Sequence, residues 1–133
     1  MVIDSSALIA ILLGEPEARA LAQAISNDQK RLLSAVSALE TAIVIETRKG
    51  PAGVREFDLL VHQVQIEIVA MNEEQVQLAR RAYSEFGKGR HPAGLNLRDC
   101  CSYALARHAG EPLLFKGDDF SKTDIPTVLY SPQ

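Results

Sequence analysis

Apolar residues along this chain fall in short runs and in helical stripes. Met1–Val2–Ile3 predicts a short buried strand that ends at Asp4. Ser5–Ser6 opens a short apolar helix through Ala7 to Leu13, stopped by Gly14. Pro16 suits a first helical turn, and Ala18, Leu21, Ala22 and Ile25 then recur at helical spacing up to Asn27–Asp28. Residues 31–35 predict a second strand. A helix from about Ser37 to Lys49 follows, with Leu39, Ile43 and Val44 among its apolar positions, and Gly50–Pro51 ends it. Val54, Phe57, Val61 and Val64 mark another helical face, and Ile66 to Val69 a third strand. Asn72 with Gln75 resembles a capping box and opens a helix through Val76, Ala79, Tyr83 and Phe86 to Gly87. Residues 87–94 form a glycine-rich, basic loop. Asn96 is the expected N-cap of a helix from Leu97 to Ala109, before Gly110. Leu113 to Phe115 predicts a fourth strand and Thr127 to Leu129 a fifth.

Strands alternating with helices imply an α/β fold, with a parallel sheet and helices on both faces. The 133 residues carry no repeat or linker, so one domain over residues 1–133 is expected. In such sheets, sites gather at the carboxyl ends of the strands.

Composition narrows the chemistry. The net charge of −3 argues against a protein that binds nucleic acid through a strongly basic surface. An acidic pocket that turns cationic once metal binds remains open. Cys100 and Cys101 are sequence neighbours, read as small core residues rather than a disulfide, and spaced partners for a zinc site are missing. The start lacks a basic segment and contains Asp4, so no secretory signal is expected. The longest apolar run, Ala7 to Leu13, is too short to span a bilayer. The cytoplasm is the expected compartment.

Four places combine a carboxylate with an apolar or capping context. Asp4 stands at the end of the first strand, as a helix N-cap or as a site residue. Glu40 has Val36, Ile43 and Val44 on its own helical face, where an unpaired carboxylate loses hydration. Glu46, near Arg48 and Lys49, reads as solvated. Asp99 falls in the first turn of its helix, where the dipole favours the ionised form. Asp118 and Asp119 follow the fourth strand. A parallel order brings the ends of strands one and four to the starts of two helices. Carboxylates converging there repel unless a cation neutralises them. Oxygen-only ligands favour Mg²⁺ or Mn²⁺ over Zn²⁺, and such sites support phosphodiester cleavage.

These segments resemble a known family. Met1-Val-Ile-Asp4-Ser-Ser-Ala-Leu8 is similar to the opening of VapC-type PIN domains. Ser37-Ala-Leu-Glu40-Thr resembles their second acidic motif, and Leu95-Asn-Leu-Arg-Asp99-Cys-Cys-Ser-Tyr-Ala-Leu-Ala106 their third. Leu113-Leu-Phe-Lys-Gly-Asp-Asp119-Phe, with Thr123-Asp-Ile125, resembles the fourth strand and its turn. The order and spacing of the set cover essentially the whole chain.

The resemblance implies a three-layer α/β/α sandwich with a small parallel sheet. It implies a Mg²⁺- or Mn²⁺-dependent endoribonuclease, with one ion or two. Asp4, Glu40, Asp99 and Asp119 would be the catalytic acids, Asp4 and Asp99 metal ligands, and Asp118 the reserve for the fourth acid. Ser6 would hydrogen-bond within the cluster. The implied substrate is RNA, often transfer or ribosomal RNA. The implied partners are a VapB-type antitoxin and a second copy in a homodimer. Arg98 departs from the small residue common before the third acid, and is read as pairing with an acid, touching phosphate or facing solvent.

Lys88, Arg90, Arg98 and Lys116 are candidate RNA contacts. His91 is a remote candidate base, while His62 and His108 read as structural. The apolar face around Phe57 and Val61 fits a dimer surface or a monomer core equally well. The alternative function is a non-catalytic PIN-like RNA-binding or scaffold domain, which has no need of metal. A signalling receiver domain is disfavoured, because Ser5–Ser6 rather than a second acid follows Asp4.

Overall fold

A computed structural model describes residues 1–131 of the chain. Its elements run β1 (Val2–Ile3), α1 (Ser5–Leu12), α2 (Ala18–Asn27), β2 (Leu32–Ser34), α3 (Ala35–Gln63), β3 (Glu67–Val69), α4 (Glu73–Phe86), α5 (Leu97–Ala109) and β4 (Leu113–Leu114). A 3₁₀ turn, Phe120–Lys122, follows. The strands form one parallel sheet in the order β3-β2-β1-β4.

Alternation along these short strands divides the core in two. Met1, Ile3, Leu33 and Leu114 face one way, against Leu8, Leu21, Ile25, Ile45 and Phe57. Val2, Leu32, Leu113 and Phe115 face the other, against Ala82, Tyr103 and Leu105. Helices α1 to α3 therefore cover one face and α4 and α5 the other, giving the expected three layers. Phe57 is 4% exposed and Val61 packs against the same cluster, so that apolar face belongs to the monomer core.

Expected boundaries shift in a few places. The two helices foreseen between Ser37 and Val64 form one run, broken at Gly50 (φ 69°, ψ −166°), which no L side chain adopts without strain. Pro51 restarts the helix, with its fixed φ and missing N–H in a first turn. Asn72 accepts from the Gln75 backbone N–H at 2.9 Å, but the Gln75 side chain donates to the Ala70 carbonyl instead of closing the box. The fifth strand reduces to a single parallel bridge, Leu113 with Thr127. Pro126 beside it has no N–H to extend a ladder.

The sheet order positions the site. From β1 the chain steps to β2 and then to β3 at one edge, and finally crosses to β4 on the other side of β1. The direction of winding thus switches at β1, and open α/β sheets bind ligands outside the carboxyl ends at such a point. The backbone N–H of Asp4 donates to the Leu114 carbonyl at 2.9 Å, tying the ends of β1 and β4 together there.

Candidate active site

Asp4, the residue after β1, is 3% exposed. Its Oδ2 caps α1 by accepting from the Ser6 backbone N–H at 3.0 Å. Its Oδ1 accepts from Ser102 Oγ at 2.5 Å. Ser102 in turn lies 3.0 Å from Ser37 Oγ, and both serines are fully buried. Ser102 has one hydroxyl proton, and Asp4 takes it, so Ser37 donates to Ser102. A chain of donors thus runs from the start of α3 through α5 to the Asp4 carboxylate.

Glu40 projects from the second turn of α3, with a side chain 14% exposed. One oxygen accepts from Ser5 Oγ at 2.7 Å. The other pairs with Arg98 Nη1 at 2.8 Å, through a guanidinium side chain 49% exposed. Of the three readings for Arg98, pairing with an acid is the one observed.

Asp99 closes a capping box at the start of α5. Its backbone N–H donates to Asn96 Oδ1 at 2.9 Å, and its Oδ2 accepts from the Asn96 N–H at 3.1 Å. Burial pushes its carboxyl up to about 6. The Asn96 N–H opposes that rise, while the charges of Asp4, Asp119 and Glu40 add to it. Asp99 therefore feels acids from three other places in the sequence. Asp119 is surface-exposed, and its charge adds to the rise at Asp99. Asp118 is 80% exposed and lies 3.9 Å from Lys122. Ser6 Oγ accepts from the Lys116 backbone N–H at 3.0 Å, which holds the β4 loop over the start of α1.

The donor set is all oxygen and mutually repelling, which fits a hard divalent cation such as Mg²⁺ or Mn²⁺. As the side chains stand, no three His, Cys, Asp or Glu groups among the described residues come close enough to hold an ion. Three of the acids are turned instead to protein partners: Asp4 to Ser102, Glu40 to Arg98 and Asp99 to Asn96. Mg²⁺ tolerates that, because it keeps several waters and needs only one or two carboxylates.

The basic candidates separate. Lys88 and Arg90 are exposed in the α4–α5 loop. Lys116 sits 2.6 Å from Glu15 and 3.7 Å from Glu17, so its charge is already matched. His91 Nδ1 accepts from the Ala93 N–H, and its ring meets Phe86 edge-on. His62 is exposed, and His108 pairs with Glu74. Cys100 and Cys101 are buried free thiols.

Sequence reasoning did not foresee Ser37, Ser102 and Ser5. The available signal was a small polar residue inside an apolar stretch, with Ser102 one turn beyond Asp99 on the same face of α5. Nothing local tied either Ser37 or Ser102 to Asp4.

Three comparisons bear on this arrangement. The PIN domain family model matches residues 1–126. The chain is 54% identical to ribonuclease VapC30 of Mycobacterium tuberculosis, over 96% of this chain and 98% of that protein. It is 46% identical to ribonuclease VapC28 of the same organism, over 97% and 98%. Among solved structures it is similar to Mycobacterium tuberculosis VapC20, a sarcin–ricin loop cleaving toxin, with a TM-score of 0.78, 15% identity and coverage of 96% and 97%. A toxin–antitoxin complex from Klebsiella pneumoniae matches with a TM-score of 0.73, 17% identity and coverage of 99% and 97%.

Proposed function

The chain belongs to the PIN-domain family, and from that membership we propose that it is a VapC-type endoribonuclease, the toxin of a toxin–antitoxin pair, cutting RNA at the carboxylates around Asp4. The observation that carries the proposal is that Asp4, at the carboxyl end of β1, accepts from Ser102 of α5, one turn beyond Asp99 on that helix, at the switch point of the sheet. A divalent ion held by Asp4 and Asp99 would supply water activation and neutralisation of the phosphate charge.

The chain's own groups have separate tasks. Ser102, backed by Ser37, holds Asp4 in one orientation. Ser5 and Arg98 hold Glu40 at the rim of the cluster. Arg98 is half exposed, so its guanidinium can also meet a phosphate oxygen. Lys88 and Arg90 extend positive charge outward along the strand's path. Asp119 completes the acidic group in this reading, with Asp118 facing solvent.

The partners follow the same reading: a VapB-type antitoxin and a second copy of the chain. Leu39 and Ile43, one turn apart on α3, are 62% and 56% exposed and supply an apolar face for that copy. Sedimentation at micromolar concentration is expected to give twice the 14.5 kDa chain mass, and a monomer there would remove the homodimer. No described helix is long and apolar enough to cross a membrane, and two free thiols suit a reducing cytoplasm.

The other reading is a binding-only domain, which has no need of an ion and in which Asp4, Glu40 and Asp99 keep only their protein partners. Cleavage of total cellular RNA by the purified protein decides between the two readings. Discrete products that require Mg²⁺ or Mn²⁺ are expected. Intact RNA from folded protein with either metal would support the binding-only domain.

A further inference from the structure

Between α4 and α5 lies an open groove of about 810 Å³. Its lining is largely apolar and soft, and includes Met71, Val76, Leu97, Cys100 and Cys101. Its aromatic wall is Tyr83, which is 41% exposed. The edge of that ring lies against Gly87, where a Cβ would come within 2.9 Å of it, so the ring has little freedom to swing that way. The Arg90 guanidinium stands 5.5 Å from the ring centroid. The charged side chains among the described residues lining the groove are Arg80 and Lys88, both basic, in a chain whose acids outnumber its lysines and arginines by 17 to 14.

The groove adjoins the acidic cluster. Asn96, the capping partner of Asp99, lines it.

A mostly apolar concavity with a few polar groups is the usual form of a small-ligand site. Single-stranded RNA is held by stacking its bases on aromatic rings and guanidinium planes. We propose that this groove receives an unstacked nucleobase of the RNA strand beside the scissile phosphate, with Tyr83 as its stacking wall and Arg80 and Lys88 on the adjoining phosphates. The proposal rests on the ribonuclease reading and gives its substrate a second point of attachment. Charge favours a polyanion as the occupant, since both charged side chains lining the groove are basic.

The test compares two fluorescein-labelled probes, a mixed-sequence single-stranded 12-nucleotide RNA and an abasic strand of the same length. Both are titrated by anisotropy into Asp99→Asn protein with Mg²⁺, so that binding is read without cleavage. Tyr83→Ala is expected to weaken RNA binding about tenfold, to leave the abasic strand unchanged, and to be rescued by Tyr83→Phe. Lys88→Ala is expected to weaken both probes and to lower the salt slope by about one. Tyr83 is exposed, and a melting curve for each variant confirms the fold. If Tyr83→Ala binds both probes as the parent does while the wild type cuts RNA, the groove assignment fails and the ribonuclease stands. If Tyr83→Ala instead splits a dimer and leaves RNA affinity unchanged, the groove is a protein contact. A wild-type protein that neither cuts nor binds RNA overturns both.

Discussion

Asp4→Asn protein is expected to melt within a few degrees of the wild type and to cut RNA at least about 100-fold more slowly, given that even residues behind a metal ligand contribute 10–100-fold. The fold survives because the amide oxygen still accepts from the Ser6 N–H, the amide NH2 donates to a Ser102 hydroxyl that turns its own proton to Ser37, and Asn caps a helix as well as Asp does. What is lost is a negative charge at the buried end of β1. Ser102→Ala is expected to fall in the 10–100-fold range and to lower stability by about 1.5–3 kcal/mol, the usual worth of a hydrogen bond to a charged group. Ser102→Thr, which keeps the hydroxyl, recovers part of the activity. Rate assays on a defined RNA fragment, beside urea unfolding of each variant, check both. Full activity in Asp4→Asn would remove Asp4 from the site. Equal loss of stability and activity in Ser102→Ala, with no recovery in Ser102→Thr, would reduce the serine pair to core packing.

Metal-free Asp99→Asn is expected to be more stable than metal-free wild type above pH 6, with the gap closing toward pH 4. The Asp99 carboxyl is raised to about 6 from an ordinary 3.8, so the folded state holds this proton more tightly than the unfolded chain does. Below the unfolded value both states are protonated and Asp99 imposes no penalty. As pH climbs through 6 the folded protein must carry a half-buried charge beside three other acids, and stability falls. The raw shift corresponds to about 3 kcal/mol, reduced to about 1–2 kcal/mol because part of the group meets solvent. Losing the favourable dipole interaction of an ionised first-turn Asp returns about 0.3–1 kcal/mol. The net gain is therefore near 1 kcal/mol, roughly 3–5 °C for a chain of this size. Millimolar Mg²⁺ should reverse the order at pH 8 by stabilising the wild type and not the variant. Melting temperatures of both proteins from pH 4 to 8, with and without Mg²⁺, read all of this. A gap that widens toward acid would contradict the buried, mutually repelling cluster.

Much of this molecule was legible in the residues alone. The alternation of Met1, Val2 and Ile3, the stripes of α2 and α4, the Gly50–Pro51 break and the Asn96 cap are written in local spacing. Backbone geometry and the burial of apolar faces act over a few residues, so they leave a local trace. The four motifs carrying Asp4, Glu40, Asp99 and Asp119 were equally visible, because each sits where a strand ends or a helix begins. The approach of α5 to the Asp4 carboxylate through Ser102 was not visible, since it follows from β4 crossing to the far side of β1. Nor were the Ser37–Ser102–Asp4 chain, the Arg98–Glu40 pair or the neutralisation of Lys116 by Glu15 and Glu17. Each of these joins residues 58 to 101 positions apart, and a side chain's partner at that range is chosen by packing. The segment holding Arg98 stated only that a cation was present. The tertiary structure decided that it would lie against Glu40, because the first turn of α5 and the second turn of α3 come together over the carboxyl edge of the sheet.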